Sequence, residues 1–323
     1  MKNLKNLLFV GIFTILLTGF WSCSDSEEVP VDNSITGIAV RTNNLSILVD
    51  ALNRAGLTET LRTGGPFTVF APTNTAFQNL LTNLGANSIN DVPVPLLKEI
   101  LLNHVVNGSV TSSQLTTGYI KTLSTPVASP TSKMSLFVNT AAGVRLNGVA
   151  SVSTPNILAS NGVIHVVDAV ITLPTVVTFA VADPNFSTLV SALTTLTPST
   201  DFVTVLSGNG PFTVFAPTNA AFTALNTELA PSGGIAGLPE ATLANVLRYH
   251  VASGNVLSSA LTPNGNTTVN PILPSSSFTI TLPGTGGNIA NVTDSANRAS
   301  GIVAVDVQAN NGVIHVLNRV LLP

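Results

Sequence analysis

Gly65-Pro-Phe-Thr-Val-Phe-Ala-Pro-Thr-Asn74 occurs a second time, residue for residue, as Gly210-Pro-Phe-Thr-Val-Phe-Ala-Pro-Thr-Asn219. Two other stretches repeat in the same order. Asn44-Leu-Ser-Ile-Leu-Val-Asp-Ala-Leu52 returns as Asn185-Phe-Ser-Thr-Leu-Val-Ser-Ala-Leu193, and Asn161-Gly-Val-Ile-His-Val166 returns as Asn311-Gly-Val-Ile-His-Val316. The offsets are 145, 141 and 150 residues, a drift of the size that loop insertions produce. Such a period is far longer than a solenoid repeat of roughly 20–45 residues. The 323 residues are therefore read as two tandem copies of one domain, 35–174 and 175–323, behind an N-terminal leader.

Working outward from the repeated stretch, Phe67–Ala71 reads as a short strand that Pro72 stops. Thr73 or Asn74 then caps a helix that turns Ala76, Phe77, Leu80 and Leu81 inward. Leu45–Leu52 and Phe186–Leu193 place apolar residues at helical spacing, with Asn44 and Asn185 as their caps. Pro95–Val106 and Pro239–Val251 read as a further apolar helix in each copy. The stretches 109–160 and 254–310 are rich in Thr, Ser, Val and turn residues, which predicts several short strands. Helices mixed with antiparallel strands in each copy predict an α+β class.

The fully apolar stretches, the Tyr249-His250 dipeptide between them and their order together resemble the fasciclin (FAS1) domain. Gly-Pro-Phe-Thr-Val-Phe-Ala-Pro-Thr-Asn looks like its first signature box and Asn-Gly-Val-Ile-His-Val like its second. The resemblance covers nearly all of the chain behind the leader. It implies two fasciclin-like domains, each a β-wedge or sandwich with packed helices, extracellular or surface-attached, acting in adhesion or in binding matrix components. The first copy departs at the dipeptide, with Asn103-His104. Some animal members carry a short acidic-isoleucine motif for integrin contact just before the second box. Here those positions hold Asn156-Ile157 and Asp306-Val307, so integrin binding is not carried over and the four residues stand as a candidate partner-binding edge.

Composition narrows the function classes. Charged residues are 8% of the chain against a typical figure of roughly 25%, and net charge is -3. Only 12 Lys and Arg are present, so nucleic acid is excluded as a partner. The two copies differ: 35–174 carries seven basic and five acidic groups, 175–323 three and six.

All four histidines, His104, His165, His250 and His315, fall in the repeated motifs. None has a His, Cys or carboxylate at metal-ligand spacing, so they are read with Tyr249 as structural motif residues, buried and hydrogen-bonded to backbone. Asp168 lies three residues from His165, on the opposite face of a strand, and forms no dyad with it. Nucleophile-elbow, phosphate-loop and dinucleotide patterns are absent, and Gly284-Thr-Gly-Gly287 reads as a turn. The expectation is no catalytic residue, no cofactor and no metal: not an enzyme. Trp21, the sole Trp, lies in the leader, which leaves Tyr119 and Tyr249 as the remaining large polar aromatics. Sugar-stacking platforms are thus scarce, and a protein or matrix partner is favoured over a glycan. Asp294-Ser295-Ala296 matches a short O-glycosylation acceptor pattern or a plain polar turn.

At the N-terminus, Lys2 and Lys5 precede an uncharged run from Leu7 to Trp21, too short for a spanning helix of about 20 residues and suited to a signal peptide over 1–22. Cys23 follows at once and is the only cysteine. Its position resembles a bacterial lipobox, although Phe20-Trp21 is bulkier than that pattern. Residues 23–34 are acidic and read as a solvated tether. The resulting expectation is an exported protein, lipid-anchored through Cys23 in the bacterial outer membrane and surface-exposed, that binds an extracellular or matrix protein. The alternative is an accessory cell-envelope lipoprotein in glycan capture or envelope maintenance. The second copy, projecting farther and carrying Asp306, is expected to make the main contact, with the first as spacer.

Overall fold

The computed structural model describes residues 31–323; the signal-peptide run, Cys23 and the tether as far as residue 30 lie outside the described residues. In the first repeat, helices α1 (Ile35–Arg41), α2 (Ser46–Arg54), α3 (Thr58–Thr63), α4 (Asn74–Leu84) and α5 (Val94–Leu102) accompany seven strands. These are β1 (Phe67–Pro72), β2 (Val105–Asn107), β3 (Gly118–Lys121), β4 (Ser135–Asn139), β5 (Arg145–Leu146), β6 (Ala150–Ala159) and β7 (Gly162–Val167). The second repeat has helices α6 (Val176–Ala182), α7 (Ser187–Thr194), α8 (Phe202–Ser207), α9 (Asn219–Glu228) and α10 (Glu240–Tyr249). Its strands are β8 (Phe212–Pro217), β9 (Val251–Ser253), β10 (Asn266–Val269), β11 (Phe278–Thr281), β12 (Ala290–Thr293), β13 (Ala299–Ala309) and β14 (Gly312–Leu317).

The sheets run β2-β1-β7-β6-β5-β4-β3 and β9-β8-β14-β13-β12-β11-β10, the same order twice. The two repeated boxes of each copy are neighbours at its centre. β1 pairs parallel with β7, Phe70 beside His165, and β8 pairs parallel with β14, Phe215 beside His315. A parallel pair needs a long crossover, and nearly the whole repeat is that crossover. Both faces of β7 and β14 are covered, which is why their residues are apolar without alternation. At the start of β7 only glycine fits: a Cβ on Gly162 would meet the Phe67 carbonyl oxygen at 2.0 Å. One core lies between helices and sheet, the other inside the fold of the sheet.

Thr73 and Thr218 cap α4 and α9 as the sequence predicts, accepting from Ala76 and Ala221. The caps assigned to Asn44 and Asn185 are different. The first amides of α2 and α7 are met from across the fold, Ile47 N by Asn74 Oδ1 and Thr188 N by Asn219 Oδ1, both at 2.9 Å. The box-ending asparagine therefore joins two helices. The helix expected over Pro95–Val106 ends at Leu102, and Val105–Asn107 pairs with β1 instead. The tether also ends earlier than residue 34. Asp32 pairs with Arg62 at 3.1 Å, and the buried Ser34 caps α1 by accepting from Gly37.

The repeats meet along β4 and β13. Lys121 Nζ donates to the Asp306 carbonyl at 2.7 Å, Gln308 N to Ser135 Oγ at 2.9 Å, and Ala128 N to the Asn310 carbonyl at 2.9 Å. Phe137 of β4 is buried in the helix-side core of the second repeat, where Tyr119 stands edge-on to Phe179. Tyr119 donates to Asp183 Oδ2 at 3.0 Å; burial and that carboxylate push its hydroxyl pKa strongly up. Among the described residues no single helix is long and apolar enough to cross a membrane.

Candidate functional site

The edge that precedes the second box is a bulge in β6. Its pairing with β7 shifts register between Thr154 and Ile157, and Asn156 takes φ 63°. Asparagine tolerates this left-handed conformation better than most residues. Its side chain is used locally: Oδ1 accepts from Ser112 N at 2.8 Å and Nδ2 donates to Ser112 Oγ at 2.9 Å. Its backbone N–H donates to Nδ1 of His165 at 3.2 Å, and the opposite ring nitrogen of His165 donates to the Val110 carbonyl at 2.9 Å. Ile157 packs inward on the helix-side core. The bulge turns Leu158 outward, 72% exposed, with a cleft of about 480 Å³ on one side lined by Leu158, Ser109, Pro66 and Asn161. On the other side Pro155 lines a second cleft with Ser112 and Val144.

The equivalent edge in the second repeat is built alike and covered. Asp306 also sits at positive φ, 59°, and its carboxylate accepts from Ser258 N at 2.8 Å. Val307 is only 4% exposed. In place of Leu158 stands Gln308, fully buried and bonded to Asn255, Ala309 and Gly312. The first repeat lies against this edge through the Lys121 and Ser135 bonds. The expectation that the second copy presents the main contact surface at Asp306-Val307 therefore meets a physical obstacle: that surface is spent on joining the repeats. Burial lowers the Lys121 ammonium pKa, opposed by Asp306.

The other motif residues are committed to backbone. His104 and His250 lie just past the ends of helices α5 and α10. Nδ1 of His104 donates to the Ile100 carbonyl at 2.8 Å while Nε2 accepts from Ile171 N at 2.8 Å. His250 repeats this with Val246 at 2.7 Å and Leu321 at 2.9 Å. Each ring is one donor and one acceptor, so it must be neutral; burial depresses both pKa values to about 4. His315 donates from Nε2 to the Val256 carbonyl at 2.8 Å, and burial lowers its pKa as it does that of His165. Tyr249 is fully buried, its hydroxyl donating to the Ser277 carbonyl at 2.6 Å and meeting Ser295 Oγ at 2.9 Å. Asn103, its counterpart, is also buried and donates to the Ile171 and Thr172 carbonyls. Asp168 accepts from Ser151 N at 2.6 Å and Asn318 from Gly301 N at 2.8 Å, the same strand-bridging role in each repeat. The Ser295 hydroxyl is engaged with Ser277 as well as Tyr249. Among the described residues no group of three or more His, Cys, Asp or Glu is placed to hold a metal ion.

Sequence reading passed over the asparagine that opens each second box. Asn161 Oδ1 accepts from Ile35 N at 2.9 Å, and its Nδ2 donates to the Leu61 and Gly64 carbonyls at 2.9 and 2.7 Å. Asn311 does the same with Val176, Leu206 and Gly208. Its repetition in both copies was the available signal.

The chain matches the fasciclin domain family model twice, over residues 43–174 and 184–323. It is 29% identical to human periostin over 283 residues, 83% of this chain and 29% of periostin. It is 26% identical to the pig transforming growth factor-beta-induced protein ig-h3 over 323 residues, 93% of this chain and 42% of that protein. The chain thus spans well under half the length of these two relatives. The fold is similar to the solved FAS1 domain pair of the insect cell adhesion molecule fasciclin I, with TM-score 0.50 and 18% identity, covering 89% of this chain and 96% of that one.

Proposed function

The chain belongs to the fasciclin domain family, and from that premise we propose that it is a surface adhesion protein that binds an extracellular or matrix protein without catalysis. The observation that carries this reading is the Asn156-Ile157-Leu158 edge. It offers an apolar side chain on a rigid bulge between two clefts, while the matching edge of the second repeat is occupied. An apolar side chain flanked by a cleft can serve as the anchor of a protein contact. The first repeat, not the second, then meets the partner, and the second braces it. Glycan capture finds less support, because Tyr119 packs against Phe137 and Phe179 and Tyr249 is fully buried, so neither ring is a stacking platform.

The leader and the lone Cys23 support attachment by acyl chains at the outer membrane, with the acidic residues before Asp32 as tether. Retention of the intact chain on immobilised matrix protein, lost on Leu158→Asp, tests the reading. Retention of the folded variant at wild-type strength overturns it.

A further inference from the structure

An apolar cavity of about 270 Å³ lies among α6, α7 and α8 in the second repeat. Its depth is core: Phe186, Leu189, Leu206 and Ile314 line it, and Thr194 is the one polar residue in its wall. The first repeat ties the same three helices together with a polar latch. Thr36 Oγ1 donates to the Thr58 carbonyl at 3.0 Å, and Thr58 Oγ1 donates to Asn53 Oδ1 at 2.6 Å. With Ile35 over Val176, Leu57 over Phe202 and Leu61 over Leu206, the latch positions become Val177, Val203 and Thr194. The latch is gone. The connection between the second and third helices also lengthens, from 55–57 to 195–201.

A larger cleft of about 580 Å³ adjoins this cavity at the junction of the repeats and shares Val177 and Val181 with it. Its first-repeat wall carries Asn139, Arg145 and Asn147. Asn147 is only 3% exposed and rigidly held, its Oδ1 accepting from Phe137 N at 2.8 Å and its own N–H donating to the Phe137 carbonyl at 2.8 Å. Its Nδ2 has no partner. A buried amide donor left unpaired is costly, and this one sits under the wall of the cleft, where a small shift of its cover brings it within reach of an acceptor. Arg145 is exposed, and among the described residues no carboxylate lies within salt-bridge distance of it.

An apolar cavity beside a guanidinium and an unpaired amide donor calls for a molecule with both characters. We propose that this site binds a medium-chain fatty carboxylate, its tail among α6, α7 and α8 and its head against Arg145 and Asn147. The guanidinium fork matches the two oxygens of one carboxylate, and a single cation suits a monoanion. An apolar cavity of roughly 150 Å³ holds benzene, so this one has room for about ten carbon atoms. The site is separate from the Leu158 edge, and its test leaves that edge untouched.

The test is calorimetric titration of the full chain carrying Cys23→Ser, which has no acyl chain of its own to compete, with decanoate and with 1-decanol. Both should bind. Arg145→Gln should weaken decanoate about tenfold and leave decanol unchanged. Ala180→Phe, which fills the cavity, should abolish both. Should Ala180→Phe fail to fold, Val181→Asp decides, since Val181 is 66% exposed on the shared rim and its new carboxylate would repel decanoate. The proposal is overturned if decanoate does not bind, if Arg145→Gln leaves its affinity unchanged, or if the folded cavity or rim variant binds it as before.

Discussion

The backbone N–H of Asn156 donates to Nδ1 of His165 across 3.2 Å, joining the exposed bulge to the most buried strand of the first repeat. In the second repeat the corresponding Nδ1 of His315 has no partner, and Asp306 commits its carboxylate to Ser258. His165 thus ties its bulge to Val110 by two bonds, one to each, whereas His315 bonds Val256 and leaves its own bulge unheld.

Replacing each by phenylalanine keeps the ring packing on Phe70 or Phe215, both with centroids at 5.5 Å, and removes the hydrogen bonds. His165→Phe should cost about 2 kcal/mol and His315→Phe about half that. Urea unfolding of the two variants gives the comparison. Equal costs, or a larger cost at His315, would contradict the bond assignment.

His104 and His250 make stability depend on pH. Their folded pKa values, about 4, lie below the ordinary 6.5, so the fold holds them neutral while the unfolded chain takes up protons. Their contribution is complete above pH 6.5, falls as pH drops through the window from 6.5 to about 4, and stops changing below it. Each is worth on the order of 3 kcal/mol across that window. Protonation would also aim an Nε2–H at the Ile171 or Leu321 amide, donor against donor. Urea midpoints measured at pH 7.5, 5.5 and 4 should decline steadily. A flat profile above pH 4.5 would show these rings to be protonated or solvated in the fold.

Asn161→Ala removes an acceptor from Ile35 N and donors from the Leu61 and Gly64 carbonyls in one step. The expected loss is about 3 kcal/mol. Asn311→Ala should cost at least as much, because Asn311 is the more buried of the two. Asp at either site restores only the acceptor and should not rescue. Thermal unfolding of the four variants checks this; rescue by Asp would mean that the donor bonds contribute nothing.

Much of this architecture can be read from the sequence because its cause is local. Thr73 announces a cap since the bond it makes spans three residues, to Ala76. Asn74 and Asn161 act over longer distances, 27 residues to Ile47 and 126 to Ile35, and leave no periodic trace. The helix expected to run through Val106 stops at Leu102; the buried strand that follows is equally apolar, and apolar runs do not distinguish the two. The fate of the candidate edge was likewise hidden. Asn156-Ile157 and Asp306-Val307 look alike in sequence, and only the contact of β4 with β13 decides that one is open and the other closed.

The proposed membrane attachment makes Cys23 its only point of acylation. Cys23→Ser should move the protein from the membrane fraction to the soluble exported fraction, since several acyl chains at about 0.8 kcal/mol per buried methylene would be lost together. Fractionation of cells expressing each form checks it. Membrane retention of the serine variant would remove the lipoprotein reading.

The proposed function places the partner at the exposed edge of the first repeat. The most direct measurement is the affinity of the intact chain for immobilised extracellular-matrix protein, compared with Leu158→Asp and with Val303→Asp, an exposed apolar position on the second repeat. Both variants should keep the wild-type unfolding midpoint. At least a tenfold loss is expected for Leu158→Asp, the effect of about 1.4 kcal/mol at a contact centre, and no change for Val303→Asp. Undiminished binding by folded Leu158→Asp, or a loss confined to Val303→Asp, would contradict it.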